Sequence, residues 1–578
     1  MHSHPLIQQL QKLKESSRYA IAQGNKYDLD DFKNYLHIER EIEKQLKETI
    51  VRSSHSDRAQ LILVCGNVGD GKSHVLSHLH KSVPEEISKF QIYNDATEAH
   101  NPMESSNDTL YRLLADFKDV NLERSKLKVI VAINLGTLSK FIDTYQDEFH
   151  KLKEYIAKEQ ILDTTIKVNS NADLDSSFLH VNFTNYHIYT LTAEGPISET
   201  ISELLSKIVA ENSGNEIFRG YKEVRDNPDF RKCPVKMNYE FLFEQKNREI
   251  ITKLLIEAIA KNKEIVSVRS ILNFIYDLLV PIQLANSNAL DQLNIIKNID
   301  TDELLSCLIP NYIFEHPDLS PLFEMLSELD PCIGRSDTMD ELLLSLQSID
   351  NPVAYFEAHI EDRSFKDPFI AVDIKKVNPT IITRYFIRLL YFQHPDLVYK
   401  GSYFQEYMEN LYHFNRGNHE YLSKLYSLVE TAIKRWHGDP KKGDKIVLKA
   451  GRTQIKYRIF KDFSIDVDPY IPEDLGQSVL HQFSQEFIVS YKNTTEQNES
   501  IKIGIDYSLY RTLKMISKGY RPNKKDNNNF VYFVHFINGI TKQNPNASLY
   551  IDEVNVGNPI DYKLSKNAFG KYKFEKVS

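Results

Sequence analysis

In the first third of the chain, short unbroken apolar runs alternate with stretches where apolar residues recur every three or four positions. Leu61-Ile62-Leu63-Val64, Phe90 to Asp95, Lys128 to Asn134 and Phe178 to Phe183 are short and rich in branched residues, as strands buried on both faces are. Tyr186 to Leu191 extends or pairs with the last of them. Between the runs, Val75, Leu76 and Leu79 have helical spacing. So do Leu110, Leu113 and Leu114, within a helix from Thr109 to Phe117, and a further helix runs through Ile142. Strands alternating with helices predict an α/β domain over 61–215, a mainly parallel sheet covered on both faces. Ligands of such sheets sit at the carboxyl ends of the strands. Asp95, Asn134, Asn182 and Asn185 fall at or near those ends.

The flanking segments have other periods. Residues 1–60 read as helical, with a helix opening near Tyr27-Asp28 and continuing to Leu46 and Ile50. Its charged stretch, Glu39 to Glu48, reads as a solvated face, and the helix is expected to pack against the α/β domain ahead of docking a partner. Helices over 201–209, 248–260 and 266–279 suggest a helical lid at 216–300. Residues 301–437 read as a helical region whose leucine-rich runs are separated by Pro310, Pro331 and Pro352, without a fixed-period repeat. At Gly438-Asp439-Pro440 the character changes to an α+β region, 438–578. Leu509 to Ile516 reads as a helix there, and Phe530 to Ile540 is a further apolar segment.

The first run leads into Gly66-Asn67-Val68-Gly69-Asp70-Gly71-Lys72-Ser73, which fits G-x-x-x-x-G-K-[ST] and is followed by His74. A strand before and a helix after supply the context in which this pattern is a P-loop. Gly66, Gly69 and Gly71 can take positive φ and let the backbone approach a phosphate. The turn's amides and the helix N-terminus would cradle the anion. Lys72 would reach the β- and γ-phosphates of ATP, and Ser73 would ligate Mg²⁺. Cys65 reads as a small buried apolar residue.

The usual second acid is displaced. The best strand by spacing, Val129 to Ile133, ends in neutral Asn134, while the earlier strand ends in Asp95 with Glu98 three residues on. Asp95 is therefore the candidate Mg²⁺-side acid, Asn134 the candidate γ-phosphate or water sensor, and Glu98 the candidate base. The alternatives are a cap or turn residue for Asp95 and an ordinary turn residue for Asn134. Arg269, at the start of the apolar helix Val268 to Leu279, is the candidate arginine reaching back from an AAA+-like lid, or else a solvated first-turn side chain. Arg225 and Arg231 lie in a stretch rich in Pro and Asp, read as a loop, and could act as trans fingers. His74 and His78 share a helix face at i, i+4, but no third ligand is evident, so zinc is not expected there.

Composition narrows the class. A chain of 578 residues exceeds one core and should form several domains. Four scattered cysteines without CxxC argue against a disulfide framework and suit a cytoplasmic protein. The N-terminus lacks an apolar signal core, and no stretch reaches the ~20 apolar residues of a membrane span. The net charge of −9 argues against a generic nucleic-acid binder. Any basic surface must be local, and one candidate exists. Lys434 to Lys461 holds ten Lys or Arg against two acids. Within it, Lys456 and Arg458 alternate with Ile455, Tyr457 and Ile459, which predicts a strand with one cationic and one buried face. Such a face could meet DNA phosphates or an acidic partner subunit, or be a lysine-protected edge.

Four features together resemble one family: CGNVGDGKSH around the turn, YNDATEAHNP at 93–102, VIVAIN followed by LGTL, and IDYSLY with KGYRPN between 505 and 523. They are similar to the DptF family of DNA phosphorothioation-dependent restriction proteins. The resemblance implies an ATPase subunit of a bacterial restriction system that attacks DNA lacking phosphorothioate marks, with DptG-like and DptH-like partners. It leaves open whether this chain touches DNA itself. A nucleotide-binding scaffold with little turnover and a P-loop kinase are the competing readings. A homo-oligomer is compatible with each.

Overall fold

In the computed structural model, the four apolar runs of the first third form one parallel sheet, in the order β2-β3-β1-β4. These strands are β1 (Gln60–Cys65), β2 (Gln91–Tyr93), β3 (Lys128–Ile133) and β4 (Phe178–Asn182). The structure describes residues 4–14, 31–67, 69–94, 106–162, 176–333, 341, 344, 378–395, 403–439, 445–448, 457–472, 476–493, 500–543, 547–553, 561–566 and 570–577. β1 is central, with β3 and β4 on its two sides, and Cys65 is level with Ile133 and Asn182. Every residue of β1 is buried. Leu61, Leu63 and Cys65 face a core with Leu114, Phe117, Leu138 and Phe141. Ile62 and Val64 face the opposite core, with Ile42, Leu46 and Ile50 of helix Glu41–Ser54 and Val75, Leu76 and Leu79 of helix Lys72–Ser82. Burial on both faces is why the strand reads as an unbroken run, and each such side chain contributes about 1.5–3 kcal/mol.

The charged stretch Glu39 to Glu48 is exposed at Glu39, Lys44 and Glu48, as a solvated face, while its helix packs on the sheet and Glu43 turns inward. Ile42 and Leu46 lie on the sheet, and Glu43 is 1% exposed. Glu43 is turned toward the helix that follows the glycine-rich turn, where His78 meets it at 2.6 Å. Arg40, just before the helix, reaches the turn itself (below).

The chain divides into two compact units: Met1–Leu191 with Pro196–Gly401 and His481–Phe483, and Thr192–Gly195 with Ser402–Leu480 and Ser484–Ser578. In the first unit the expected helices are Glu199–Val209, Gln245–Asn262 and Val268–Leu279. Two more, Glu216–Arg225 and Pro234–Phe241, flank the stretch read as a loop, which holds only the short turn Pro228–Phe230. Asn215 caps the first through Ile217 and Phe218 N–H, and Ile217, Phe218, Tyr221 and Val224 are buried at helical spacing. Pro234 opens the second, where its missing N–H costs nothing. Pro310 likewise lies in the first turn of helix Ile309–Glu315, directly after helix Thr301–Cys307, and separates the two by opening the second. Pro352 lies outside the described residues.

Two three-residue strands, β5 (Thr190–Thr192) and β6 (Gly195–Ile197), precede the helical part. The second unit is α+β. It holds β7 (Lys445–Leu448), β8 (Tyr457–Asp462), β9 (Phe487–Lys492), β10 (Ser500–Ile505), β11 (Leu549–Glu553), β12 (Asp561–Lys566) and β13 (Tyr572–Val577). They form a five-stranded sheet, β13-β12-β11-β8-β7, and the antiparallel pair β9-β10. Helices Tyr403–Asn415 and His419–Arg435 belong to this unit, and Trp436, 1% exposed, packs on Phe533 at 4.8 Å. Among the described residues, no helix is long and apolar enough to cross a membrane.

Candidate functional site

The glycine-rich turn leaves the carboxyl end of β1 at the middle of the sheet. Gly66 N–H donates to Ile133 O at 3.2 Å, which holds the first glycine against β3. A Cβ on Gly66 would come within 2.8 Å of Asp70 Oδ2 and of Phe183 Cβ, so only glycine fits this close approach. Gly71, at φ +90°, is the N-cap of helix Lys72–Ser82, a backbone state that L side chains avoid. The chain thus turns sharply and presents the helix N-terminus toward the space beyond β1.

Charge is concentrated there. Lys72 Nζ donates to Gly66 O at 2.9 Å and to Asn67 O at 2.6 Å, so its ammonium sits within the turn. Ser73 follows it in the first helical turn and is half-buried. Asp70 Oδ2 accepts from Asn67 N–H at 2.5 Å and braces the turn from inside. Burial pushes the Asp70 carboxyl above its ordinary range, against the opposing pull of the Asn67 amide, Lys72 and Arg40. Val68 lies outside the described residues. Cys65 is fully buried, which pushes its thiol up to about 12 and leaves it inert.

Arg40 is a functional candidate absent from the sequence reading. Its guanidinium donates to Asp70 O at 3.0 Å and lies over the Phe183 ring, 5.6 Å from the centroid. Burial lowers its pKa, with Asp70 and Glu43 acting in the opposite sense. Its place in a run of charges hid it, since nothing local distinguishes it from a surface arginine. His74, next after Ser73, is turned away from the turn toward His37, with Nε2 2.9 Å from His37 Nδ1. Burial lowers its pKa to about 4.

Asn134 ends β3 level with the start of the turn and is the N-cap of helix Leu135–Tyr145, accepting from Thr137 N–H at 2.7 Å. Asn182 ends β4 and accepts from Thr184 N–H and Oγ1. Gly66, Asn134 and Asn182 are therefore brought to one edge of the sheet. β2, the strand before Asp95, lies beyond β3, and both Asp95 and Glu98 lie outside the described residues.

The start of helix Val268–Leu279 also meets the turn. A Cβ on Gly69 would lie 3.1 Å from Oγ of Ser267, which caps that helix through Ser270 N–H. Arg269 is in the first turn of this helix, half-buried. Arg225 ends a helix and pairs with its neighbour Asp226 at 3.0 Å, and Arg231 is exposed after the turn Pro228–Phe230.

No protein-family model matches the chain, and no curated protein matches it.

The basic strand of the second unit differs from its expected facing. Tyr457 is 45% exposed, while Phe460, on the same side as Arg458, is 5% exposed. Arg458 is opposite Asp552 on β11 and pairs with it at 3.0 Å, with the Asp552 side chain 6% exposed. The cross-strand carboxylate draws the arginine inward. Lys456 lies outside the described residues.

Proposed function

We propose that this chain is an ATP-binding and ATP-hydrolysing subunit of a DptF-like bacterial restriction system, acting with DptG-like and DptH-like partners on DNA that lacks phosphorothioate marks. The observation that carries the nucleotide reading is the Lys72 ammonium held among the carbonyls of a turn that caps a helix at the centre of a parallel sheet. A helix N-terminus with an adjacent lysine suits a polyphosphate, and the glycines let the backbone approach it. Lys72 would contact the β- and γ-phosphates, and Ser73 would ligate Mg²⁺. Gly66, Asn67, Val68, Gly69, Asp70 and Gly71 would complete the segment that surrounds the phosphates, while the His74 side chain, expected there from the sequence, faces His37 instead. The sheet order supports an AAA+-like reading: β3, ending at Asn134, is beside β1, and the strand leading to Asp95 is one place farther out. Adjacent strands are about 4.8 Å apart, which makes Asn134 the nearer candidate sensor, and Asp95 is kept as the candidate acid on the Mg²⁺ side. The meeting of Ser267 with Gly69 supports a lid role for the helix that begins at Val268, and with it Arg269 as a γ-phosphate contact.

One observation favours the reading of an ATP-binding scaffold with slow turnover. Asn134 already commits its side-chain oxygen to a helix cap. The two readings separate in one experiment: ATP binding and turnover of the pure protein, alone, with matched modified and unmodified DNA, and with the partner subunits. Lys72→Ala should abolish binding or turnover while leaving circular dichroism unchanged. Parent-like hydrolysis in Lys72→Ala sinks the nucleotide assignment. Tight binding without turnover under any condition selects the scaffold.

A further inference from the structure

Beside the turn, but facing away from it, four side chains converge from two helices and the segment between residues 37 and 40. Glu43 Oε1 lies 2.6 Å from His78 Nδ1, and Glu43 Oε2 lies 3.4 Å from His37 Nε2. The other edge of the His37 ring is occupied, since Nδ1 is 2.9 Å from His74 Nε2. The Glu43 side chain is 2% exposed and that of His37 is 10% exposed. Glu43 Oε2 and His37 Nε2 are both buried and make no hydrogen bond. A buried polar atom left in that condition is costly, so two facing each other require an explanation.

The tautomers supply one. If His37 donates its Nδ1 proton to His74, its Nε2 carries a lone pair aimed at a carboxylate oxygen. Only a cation between or on these atoms makes that arrangement favourable. A proton would draw the pair into a charge-assisted bond of about 2.7–2.9 Å. The separation is 3.4 Å. Two ligands held about 2.0–2.1 Å from a tetrahedral ion stand roughly 3.3–3.4 Å apart, which the His37–Glu43 spacing matches, whereas His78 Nδ1, 2.6 Å from Glu43 Oε1, is hydrogen-bonded to the carboxylate and would give up that bond to reach an ion. One ring nitrogen from each of His37 and His78 and one oxygen of Glu43 already lie within 4.8 Å of one another. Two imidazoles and one carboxylate are the donor set of a late first-row divalent ion, zinc foremost.

We infer that His37, Glu43 and His78 form a site for a divalent transition metal such as Zn²⁺, distinct from the Mg²⁺ of the proposed nucleotide site. His74 is the positioning residue, fixing the His37 tautomer as outer partners of metal-ligating histidines do. His78 stacks on His37 with centroids 3.7 Å apart, so its ring would have to turn out of that stack to face the ion. The bound metal joins helix Lys72–Ser82 to helix Glu41–Ser54 and the segment that carries Arg40. That segment donates to Asp70 O, so the ion stiffens the support of the glycine-rich turn from behind. The sequence pairs His78 with His74, whereas the structure sets His78 beside Glu43 and His37 of the preceding segment and leaves His74 behind His37.

The test uses the untagged full chain, loaded with ZnCl₂, dialysed against metal-free buffer and measured by elemental mass spectrometry. The expected content is about one Zn²⁺ per chain, with a melting temperature that rises with free Zn²⁺. His78→Gln, at a side chain 30% exposed and so tolerant of change, should lose the ion. Glu43→Gln keeps the shape and should also lose it. His74→Ala should bind about 10–100-fold more weakly. Lys72→Ala should retain full metal content, so a failed nucleotide reading leaves this result intact. Clearly substoichiometric zinc in the parent overturns the site. So does equal zinc in the parent and in folded His78→Gln and Glu43→Gln.

Discussion

At the scale of single residues, Asn134 has one side chain and two candidate tasks. Its Oδ1 caps helix Leu135–Tyr145 at 2.7 Å, and removing such a cap costs about 1 kcal/mol. Its place at the end of β3, level with the turn, suits an amide that senses phosphate or water. Asn134→Ala would confound the two, because both atoms go. Asn134→Ser separates them, since serine caps nearly as well but has no amide. If the amide acts in turnover, the serine variant should melt within about 0.5 kcal/mol of the parent while hydrolysis falls on the order of 100-fold. If turnover stays at the parent rate, Asn134 is a cap only. Calorimetry and a steady-state phosphate-release assay on the same preparation distinguish these outcomes. Of the residues at the turn, glycines, lysine and serine were legible because their chemistry lies in adjacent positions. Arg40, His37 and Glu43 were not, because their partners, Asp70, His74 and His78, lie on the next helix and the turn before it.

At the scale of elements, β8 teaches the same lesson. Alternation located the strand, since Tyr457–Asp462 is extended and paired on both sides. It could not tell which face goes inward, because the deciding partner, Asp552, is 94 residues away. Without that carboxylate, Tyr457 and Ile459 make the better buried face. With it, Arg458 and Phe460 turn inward and the arginine is neutralised in place. The helices of the sheet unit were more legible because their apolar stripes are complete within one segment. The ion pair has a measurable consequence. Breaking one member leaves a charge buried, at a cost of about 3–5 kcal/mol, whereas replacing both with apolar residues is near neutral. Arg458→Ala should therefore lower the urea midpoint of the second unit strongly, and Arg458→Leu with Asp552→Leu should recover most of the loss. A small loss in Arg458→Ala would mean the pair is solvated and the arginine available to phosphates. A DNA-binding defect in Arg458 variants is informative only once that folding loss has been measured.

At the scale of the whole chain, the buried histidines of the first unit set a direction for its acid response. Burial lowers His4, His180 and His187 to about 4 each, against an ordinary value of 6.5. His4 shows why protonation is unfavourable. It is 1% exposed, its Nδ1 accepts Ile7 N–H at 3.3 Å as the cap of helix Pro5–Leu10, and its Nε2 faces Cys233 Sγ at 3.2 Å. A proton on Nδ1 would remove the cap and place a charge in a dry site. The sign follows directly. Between pH 6.5 and 4 the unfolded chain binds protons that the folded chain does not, so stability is complete above pH 6.5 and falls as pH drops toward 4. Each histidine contributes a slope of up to about 1.4 kcal/mol per pH unit across that window. His4→Asn keeps a capping oxygen and cannot titrate, so it should match the parent near pH 4.5 or exceed it, while being equal or slightly weaker at pH 7.5. The measurement is the melting temperature of the transition that reports the parallel sheet, followed from pH 7.5 to 4.5 in parent and variant, because a chain of two units need not unfold in one step. Parallel curves for parent and His4→Asn would show that this histidine takes up its proton at the same pH in the folded and the unfolded chain. The acid response would then belong to the carboxylates.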